Sequence, residues 1–353
     1  MNGTVNVFCM TTLVDDIGSF PLPPSVDRNS FNRAYALARE AIIKGKDIKK
    51  DEFLLNNFYR VVINSFRKKC DAGLDAVNYP QHYDIHKQFT DAIHKATDEG
   101  TYITNEKGAI IPEVHVINEE AKRLYEETGN KVTLRVCVTG PMELYLKEIG
   151  TTPYKDVLPM FAETVKRFAK NSILNSKYAK TEVVSLDEPS FGFQDISADK
   201  DTILNVMERA FDFKGVVRQI HLHSATRVAD VLDVKNLDVL SLEYAASPRN
   251  IESLSRKMLE RADKQIRVGI SRTDIDSIMA ELYDKEITKP KAEQLVESEE
   301  TIRKRFLIAK EKYGDRMTFT GPDCGLGGWP TQEAAQLLLK RTVNAVKSAK
   351  TNL

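Results

Sequence analysis

The feature that most constrains this chain is a rhythm. Eight short β-like runs alternate with longer helical stretches across nearly its whole length. The runs are Thr12–Phe20, Gly73–Tyr79, Lys131–Thr139, Glu182–Asp187, Val216–His223, Val239–Tyr244, Gln265–Ile270 and Met317–Thr320. Several are rich in Val and Ile, as strands covered on both faces tend to be. Between them, apolar residues recur every three or four positions in Phe53–Cys70, Tyr154–Asn175, Asp201–Phe213, Glu293–Tyr313 and Thr331–Val346. Strand–helix alternation implies parallel strands with right-handed crossovers, and eight such units point to a closed (β/α)8 barrel of TIM type, with a doubly wound open sheet as the structural alternative. An α/β fold of one catalytic barrel domain over residues 1–353 is therefore expected. One stretch breaks the rhythm. GTYITNEKGAIIPEVHV, residues 100–116, reads as a β-hairpin inserted on the rim, turning at Asn105-Glu106-Lys107-Gly108.

Composition narrows the function classes. Lys plus Arg number 51 and Asp plus Glu number 51. This balance gives no long-range attraction to nucleic acid or to an anionic membrane. No apolar run is long enough to span a bilayer. The four cysteines, Cys9, Cys70, Cys137 and Cys324, form no CxxC pair. A reducing, cytoplasmic setting is the simpler expectation, and MNGTVNVFCMTTLVDD reads as neither a signal nor a targeting segment.

In such barrels the chemistry sits at the carboxyl ends of the strands. The fifth run ends Ile220-His221-Leu222-His223, and residues two apart on a strand share a face, so both imidazoles point together. The sixth ends Leu242-Glu243-Tyr244. The eighth is followed by Gly321-Pro322-Asp323-Cys324-Gly325-Leu326-Gly327-Gly328, which brings one cysteine to the same rim on a glycine-rich loop. Two imidazoles, a carboxylate and a thiolate make a tetrahedral set suited to zinc, and +2 from the ion against one carboxylate and one thiolate leaves the site neutral. Each residue alone has an ordinary alternative as a packing or turn residue. The case rests on their sharing one rim. His82 and His86, four apart, read as a solvated or rim-facing helix; Lys44–Lys50 reads as a solvated helix end.

These residues, with Asp16-Ile17-Gly18-Ser19-Phe20-Pro21, Gly73-Leu74-Asp75, Asp187-Glu188-Pro189 and Pro322-Asp323-Cys324-Gly325-Leu326, give the chain a resemblance. It resembles the catalytic barrel of cobalamin-independent methionine synthases, especially their short archaeal-type relatives. The likeness implies one zinc held by His221, His223, Glu243 and Cys324, and transfer of a methyl group to a thiol, L-homocysteine, carried as a zinc thiolate. It also implies acceptor binding by Ile17, Gly18, Ser19 and Asp187, the last taking the ammonium group. No catalytic residue beyond the zinc site is assigned.

The sequence departs from that pattern at three places. His223 stands where the family has cysteine, and imidazole remains a good zinc ligand. Gln81, in Asn78-Tyr79-Pro80-Gln81, replaces a carboxylate that helps hold the amino group. Charge-assisted hydrogen bonds contribute about 1.5–3 kcal/mol against about 1 kcal/mol for neutral ones, so the amide weakens that grip. The seventh run continues as Ser271-Arg272-Thr273-Asp274, without the histidine that protonates a leaving pterin. A methyl corrinoid, delivered by a corrinoid protein, fits better than methyltetrahydrofolate as donor. Another small thiol such as coenzyme M is the alternative acceptor. A uroporphyrinogen decarboxylase-like lyase is a weaker reading, since no Arg-rich mouth is evident; a third class, a non-enzymatic corrinoid-docking module, would hold no zinc and show no turnover.

Overall fold

The computed structural model describes residues 12–351; Cys9 and the first eleven residues of the amino-terminal segment read above lie outside them. The strands are β1 (Leu13–Val14), β2 (Val77–Asn78), β3 (Val132–Thr139), β4 (Ala179–Asp187), β5 (Val217–Leu222), β6 (Val239–Leu242), β7 (Gln265–Ser271) and β8 (Met317–Pro322). Each overlaps the run expected at its place. They form one curled sheet in the order β1-β8-β7-β6-β5-β4-β3-β2. Every neighbouring pair is parallel.

The two edge strands meet at a single parallel bridge, Asp15 to Ala76. Asp75 completes that seam from both sides: its N–H donates to Val14 O at 2.8 Å, and its Oδ2 accepts from Val14 N at 2.7 Å. This is the arrangement of a TIM-like barrel with its seam between the first two strands. A side chain does there part of the work that a backbone ladder does elsewhere in the sheet.

Helices pack against the outside of the sheet. The last, Gln332–Lys350, starts as the sequence signals: Thr331 accepts from Ala334 N. The expected hairpin at 100–116 is not there. The turn at 105–108 forms, with Gly108 N donating to Asn105 O at 3.1 Å, but no strand flanks it. From Pro112 the chain is a helix, Pro112–Thr128, closed by Gly129 in the left-handed region at φ 73°. Proline is suited to a first helical turn, and Val114, Ile117, Ala121 and Leu124 bury one face at helical spacing. The short apolar run Ala109–Ile111 mimicked a strand because it is a loop whose Ala109 and Ile111 are buried.

The inside of the barrel is not purely apolar. Asp15, Arg135 and Arg267 are all fully buried. Arg267 Nε donates to Asp15 Oδ1 at 2.6 Å, and Arg135 Nε lies 3.4 Å from Asp15 Oδ2. Burial outweighs both guanidinium groups and leaves Asp15 above the usual carboxylate range. Beside them Lys69 Nζ meets Asp16 Oδ2 at 2.6 Å. Replacing such a buried group by an apolar one strands its partner, at about 3–5 kcal/mol.

This charged layer fixes the loop that leaves β1. Arg135 NH1 and Asn78 Nδ2 both donate to Ile17 O at 2.7 Å, and Lys69 Nζ donates to Gly18 O at 2.7 Å. With its carbonyls tied from below, the Ile17-Gly18-Ser19 segment forms a rigid lip at the barrel mouth.

Candidate metal centre

β5 and β6 run side by side, with His221 paired to Ser241 and Leu222 to Leu242. One residue beyond this ladder lie His223 and Glu243, and β8 ends just before Cys324. One ligand atom from each of His221, His223, Glu243 and Cys324 lies within 4.8 Å of all the others. Cys324 Sγ is 3.4 Å from His223 Nε2, which is 3.5 Å from Glu243 Oε1. The two imidazole rings meet edge to face, with centroids 5.3 Å apart.

The donor set fits a divalent ion. His221 Nδ1 is 3.2 Å from Ser241 Oγ, which leaves Nε2 as the free nitrogen. That Nε2 is buried and has no hydrogen-bond partner. A buried polar atom without a partner is costly, and a cation is the natural partner for a neutral imidazole nitrogen. Burial holds both histidines below their ordinary pKa, His221 the further because His223, Arg267 and Arg135 lie near, so both are neutral. Burial, with Asp323 and Asp274 nearby, pushes the Glu243 carboxyl up to about 8. Burial and the Glu243 charge push the Cys324 thiol above its usual range. A bound cation would relieve both acids.

Three residues not singled out from the sequence hold this cluster together. Ser241 orients His221. Asn250 joins the ends of β5 and β6: its Nδ2 donates to His223 O at 2.8 Å and to Glu243 O at 3.0 Å, and its Oδ1 accepts from Ala225 N at 3.0 Å. Asp323 accepts from the N–H groups of Tyr244, Ala245 and Ala246 at 3.0, 3.0 and 2.7 Å, tying the segment after Glu243 to the residue before Cys324. Supports of this kind tune metal affinity by orienting the ligands. Only Asp323 sat in a motif read from the sequence; the others depend on strand register and loop geometry.

A cavity of about 170 Å³ opens beside the cluster. Ile17, Ser19, Gln81 and Asp187 line it together with His221, His223 and Cys324. Gly18 supports it from behind. A Cβ there would stand 2.9 Å from Gln81 Oε1 and 3.1 Å from Cys137 Sγ, at φ 153°. Gln81 itself sits at φ 47°, an uncommon conformation for a side-chain-bearing residue that places its amide in the cavity wall. Asp187 accepts from Ser185 Oγ at 2.7 Å and lies 3.8 Å from Arg135 NH2; burial raises its carboxyl to about 6. The glycine-rich segment closes the other side. Gly325 and Gly327 press on Ser19 so tightly that a Cβ would come within 2.3 and 2.9 Å of it, and Leu326 N donates to Ser19 O at 2.6 Å.

The remaining motif residues go elsewhere. His82 is buried ahead of the helix Lys87–Thr97, bonded to Phe20 O and Ser65 Oγ, and His86 bonds Glu143. The rim-facing helix expected for this pair is absent. Glu188 caps the helix Pro141–Glu148 through Met142 N at 2.9 Å and Glu143 N at 2.7 Å.

No protein-family model and no curated protein gives a match to this chain. Among solved structures, a B12-independent methionine synthase from Shewanella sp. W3-18-1, determined in complex with selenomethionine, is similar over 98% of both chains, with 13% identity and a TM-score of 0.60. A methyltransferase from Methanosarcina mazei aligns over 94% of both chains, also at 13% identity, with a TM-score of 0.49. At this identity the Shewanella likeness shows a shared fold and nothing further.

Proposed function

We propose that this protein is a zinc-dependent methyltransferase whose methyl acceptor is a thiol, L-homocysteine in the first instance, giving methionine. The observation that carries the reading is the convergence of His221, His223, Glu243 and Cys324, with the buried Nε2 of His221 left without any other partner. Zinc held by these four residues supplies Lewis acidity that favours the thiolate form of an acceptor near neutral pH.

The chain's own residues do the rest. Ser241, Asn250 and Asp323 hold the ligands in register. Ile17, Ser19 and the Gly325–Gly328 segment narrow the mouth and limit water around the reacting sulfur. Asp187 offers a carboxylate to an ammonium group on the acceptor, and the Gln81 amide offers a hydrogen-bond acceptor. The transfer forms an S–CH3 bond and breaks the bond from methyl to donor. β7 ends in Ser271 and continues through Arg272-Thr273-Asp274, with no imidazole to protonate a leaving nitrogen. A methyl corrinoid on a partner protein, whose leaving group needs no proton, suits such a site better than a methylated pterin.

One observation favours a second acceptor class. Asp187 stands 3.8 Å from Arg135, and Gln81 carries no charge. The attraction for an ammonium group is correspondingly weaker, which suits a thiol without one, such as coenzyme M. The test is metal analysis of the purified protein, followed by anaerobic methyl transfer from methylcobalamin, methylated corrinoid protein and methylated pterins to each thiol. One zinc per chain and thiol methylation lost in Cys324→Ser are expected. Activity and zinc content untouched by that change would overturn the proposal.

A further inference from the structure

Beside the metal-centre cavity lies a second one, of about 440 Å³. The two share Ser19, Gln81, Ile85, Gly327 and Gly328 as walls, so they lie side by side at the barrel mouth. We infer that this outer chamber is a subsite for an oxyanion, a carboxylate, sulfonate or phosphate, received by Arg28, Asn32 and Lys87 from a molecule that reacts at the metal centre. The inference rests on that reading of the cluster and adds the substrate's chemistry to it.

The polar inventory of the chamber is one-sided. Arg28 and Asn32 are one helical turn apart on the helix Arg28–Ile43, so they share a face. Arg28 NH1 donates to the backbone carbonyl of His82 at 2.5 Å, and its guanidinium meets no carboxylate among the described residues. The side chains of Asn32 and Lys87 have no hydrogen-bond or ion-pair partner there either. The other polar walls are already engaged. Both ring nitrogens of His82 are bonded, and Tyr83 Oη donates to Asp91. Asp84, the one carboxylate in the wall, accepts through Oδ1 from the backbone N–H groups of His86 and Lys87, both at 2.9 Å, which leaves Oδ2 as its one open oxygen. Against that one oxygen stand the two cations Arg28 and Lys87 and the Asn32 amide, and a guanidinium with free N–H groups is suited to planar oxyanions.

Arg28 is also placed rather than loose. The carbonyl that holds it belongs to the residue after Gln81, whose left-handed backbone puts the amide into the inner cavity. One turn of chain therefore presents Gln81 to the reacting end of a ligand and anchors Arg28 for its far end. A molecule with a sulfur or methyl terminus at one end and an oxyanion at the other would span the two.

The test uses the full chain loaded with Co²⁺, whose visible spectrum reports thiolate ligation. In one arm it is titrated with neutral 2-mercaptoethanol and with ω-mercaptoalkanoates of increasing chain length. In the second arm it is held with saturating 2-mercaptoethanol and titrated with succinate or inorganic phosphate, followed by calorimetry. If the oxyanion belongs to the acceptor, affinity peaks at one chain length. Arg28→Gln and Lys87→Gln then each weaken that thiol about 10-fold or more while leaving 2-mercaptoethanol within about twofold. If it belongs to a separate donor, there is no length optimum, but the free oxyanion binds and both variants abolish it. Thiols bound equally well with and without a carboxylate, together with no binding of free oxyanions, would overturn the inference while leaving the metal centre standing. Failure of every thiol to perturb the cobalt spectrum would instead count against the thiol reading, and the second arm would still decide the subsite.

Discussion

Asn250 offers a sharp test of how the metal centre is built. It makes three hydrogen bonds, to Ala225 N, His223 O and Glu243 O, and so bridges the two strands that carry three of the four ligands. Asn250→Leu removes all three while keeping the branched shape, at a somewhat larger volume. It leaves the buried Ala225 N–H without a partner, at about 1–3 kcal/mol, and frees two carbonyls that had fixed the pitch of His223 and Glu243. Asn250→Asp keeps an acceptor for Ala225 but turns a carboxylate toward both carbonyls, replacing attraction by repulsion. Zinc affinity of the folded protein, measured by competition with a chromophoric chelator, should fall about 10–100-fold in both variants. Circular dichroism confirms that the fold is kept. A merely structural role would lower the melting temperature of the metal-free protein and leave the zinc dissociation constant unchanged. Folded variants that bind zinc within twofold of the parent would refute the reasoning.

Other expectations can be checked separately. With both histidines neutral, Glu243 near 8 and the Cys324 thiol raised, zinc binding at pH 7 should release about two protons, falling toward one above pH 8; calorimetry in buffers of differing ionisation enthalpy counts them. Glu113 is fully buried, makes one hydrogen bond, to His82 N, and has its carboxyl pushed up to about 8. Its contribution to stability is therefore present below its unfolded pKa near 4.5 and lost as pH rises through 8. Glu113→Gln should flatten the decline in unfolding free energy between those values, by up to about 5 kcal/mol at pH 9; an unchanged pH profile would show that Glu113 is not its source. A Cβ at Gly321 would lie 2.0 Å from Asp15 O and 2.6 Å from Arg267 NH2, so Gly321→Ala should cost several kcal/mol in chemical denaturation or prevent folding; a near-neutral result would mean that the seam of the barrel can shift.

Much of the architecture could be read from local pattern. β3, Val132–Thr139, stands out because seven of its eight residues are buried, so its apolar run is nearly continuous. The ends of β5, β6 and β8 could be aligned because alternation along a strand is strict, and His221-x-His223 inherits its shared face from it. The loop at 100–111 misled because buried loop residues such as Ile111 are as apolar as strand residues, and Pro112 marks a helix start only once the spacing beyond it is weighed. The charged layer was legible only as an oddity, a single Arg inside each of two apolar strands. Its partners, Asp15 and Gln219, are distant in sequence and brought together by closure. Ser241 and Asn250 were not legible at all, since cross-strand register and the path of the loop after β6 decide what they touch.

X-ray absorption at the metal edge of the purified, zinc-loaded protein tests the central claim most directly. One zinc per chain is expected, with a single sulfur neighbour at about 2.3 Å and imidazole or carboxylate neighbours at about 2.0–2.2 Å, the sulfur shell vanishing in Cys324→Ser. A zinc shell without sulfur in the parent protein, or one unchanged by that substitution, would contradict it.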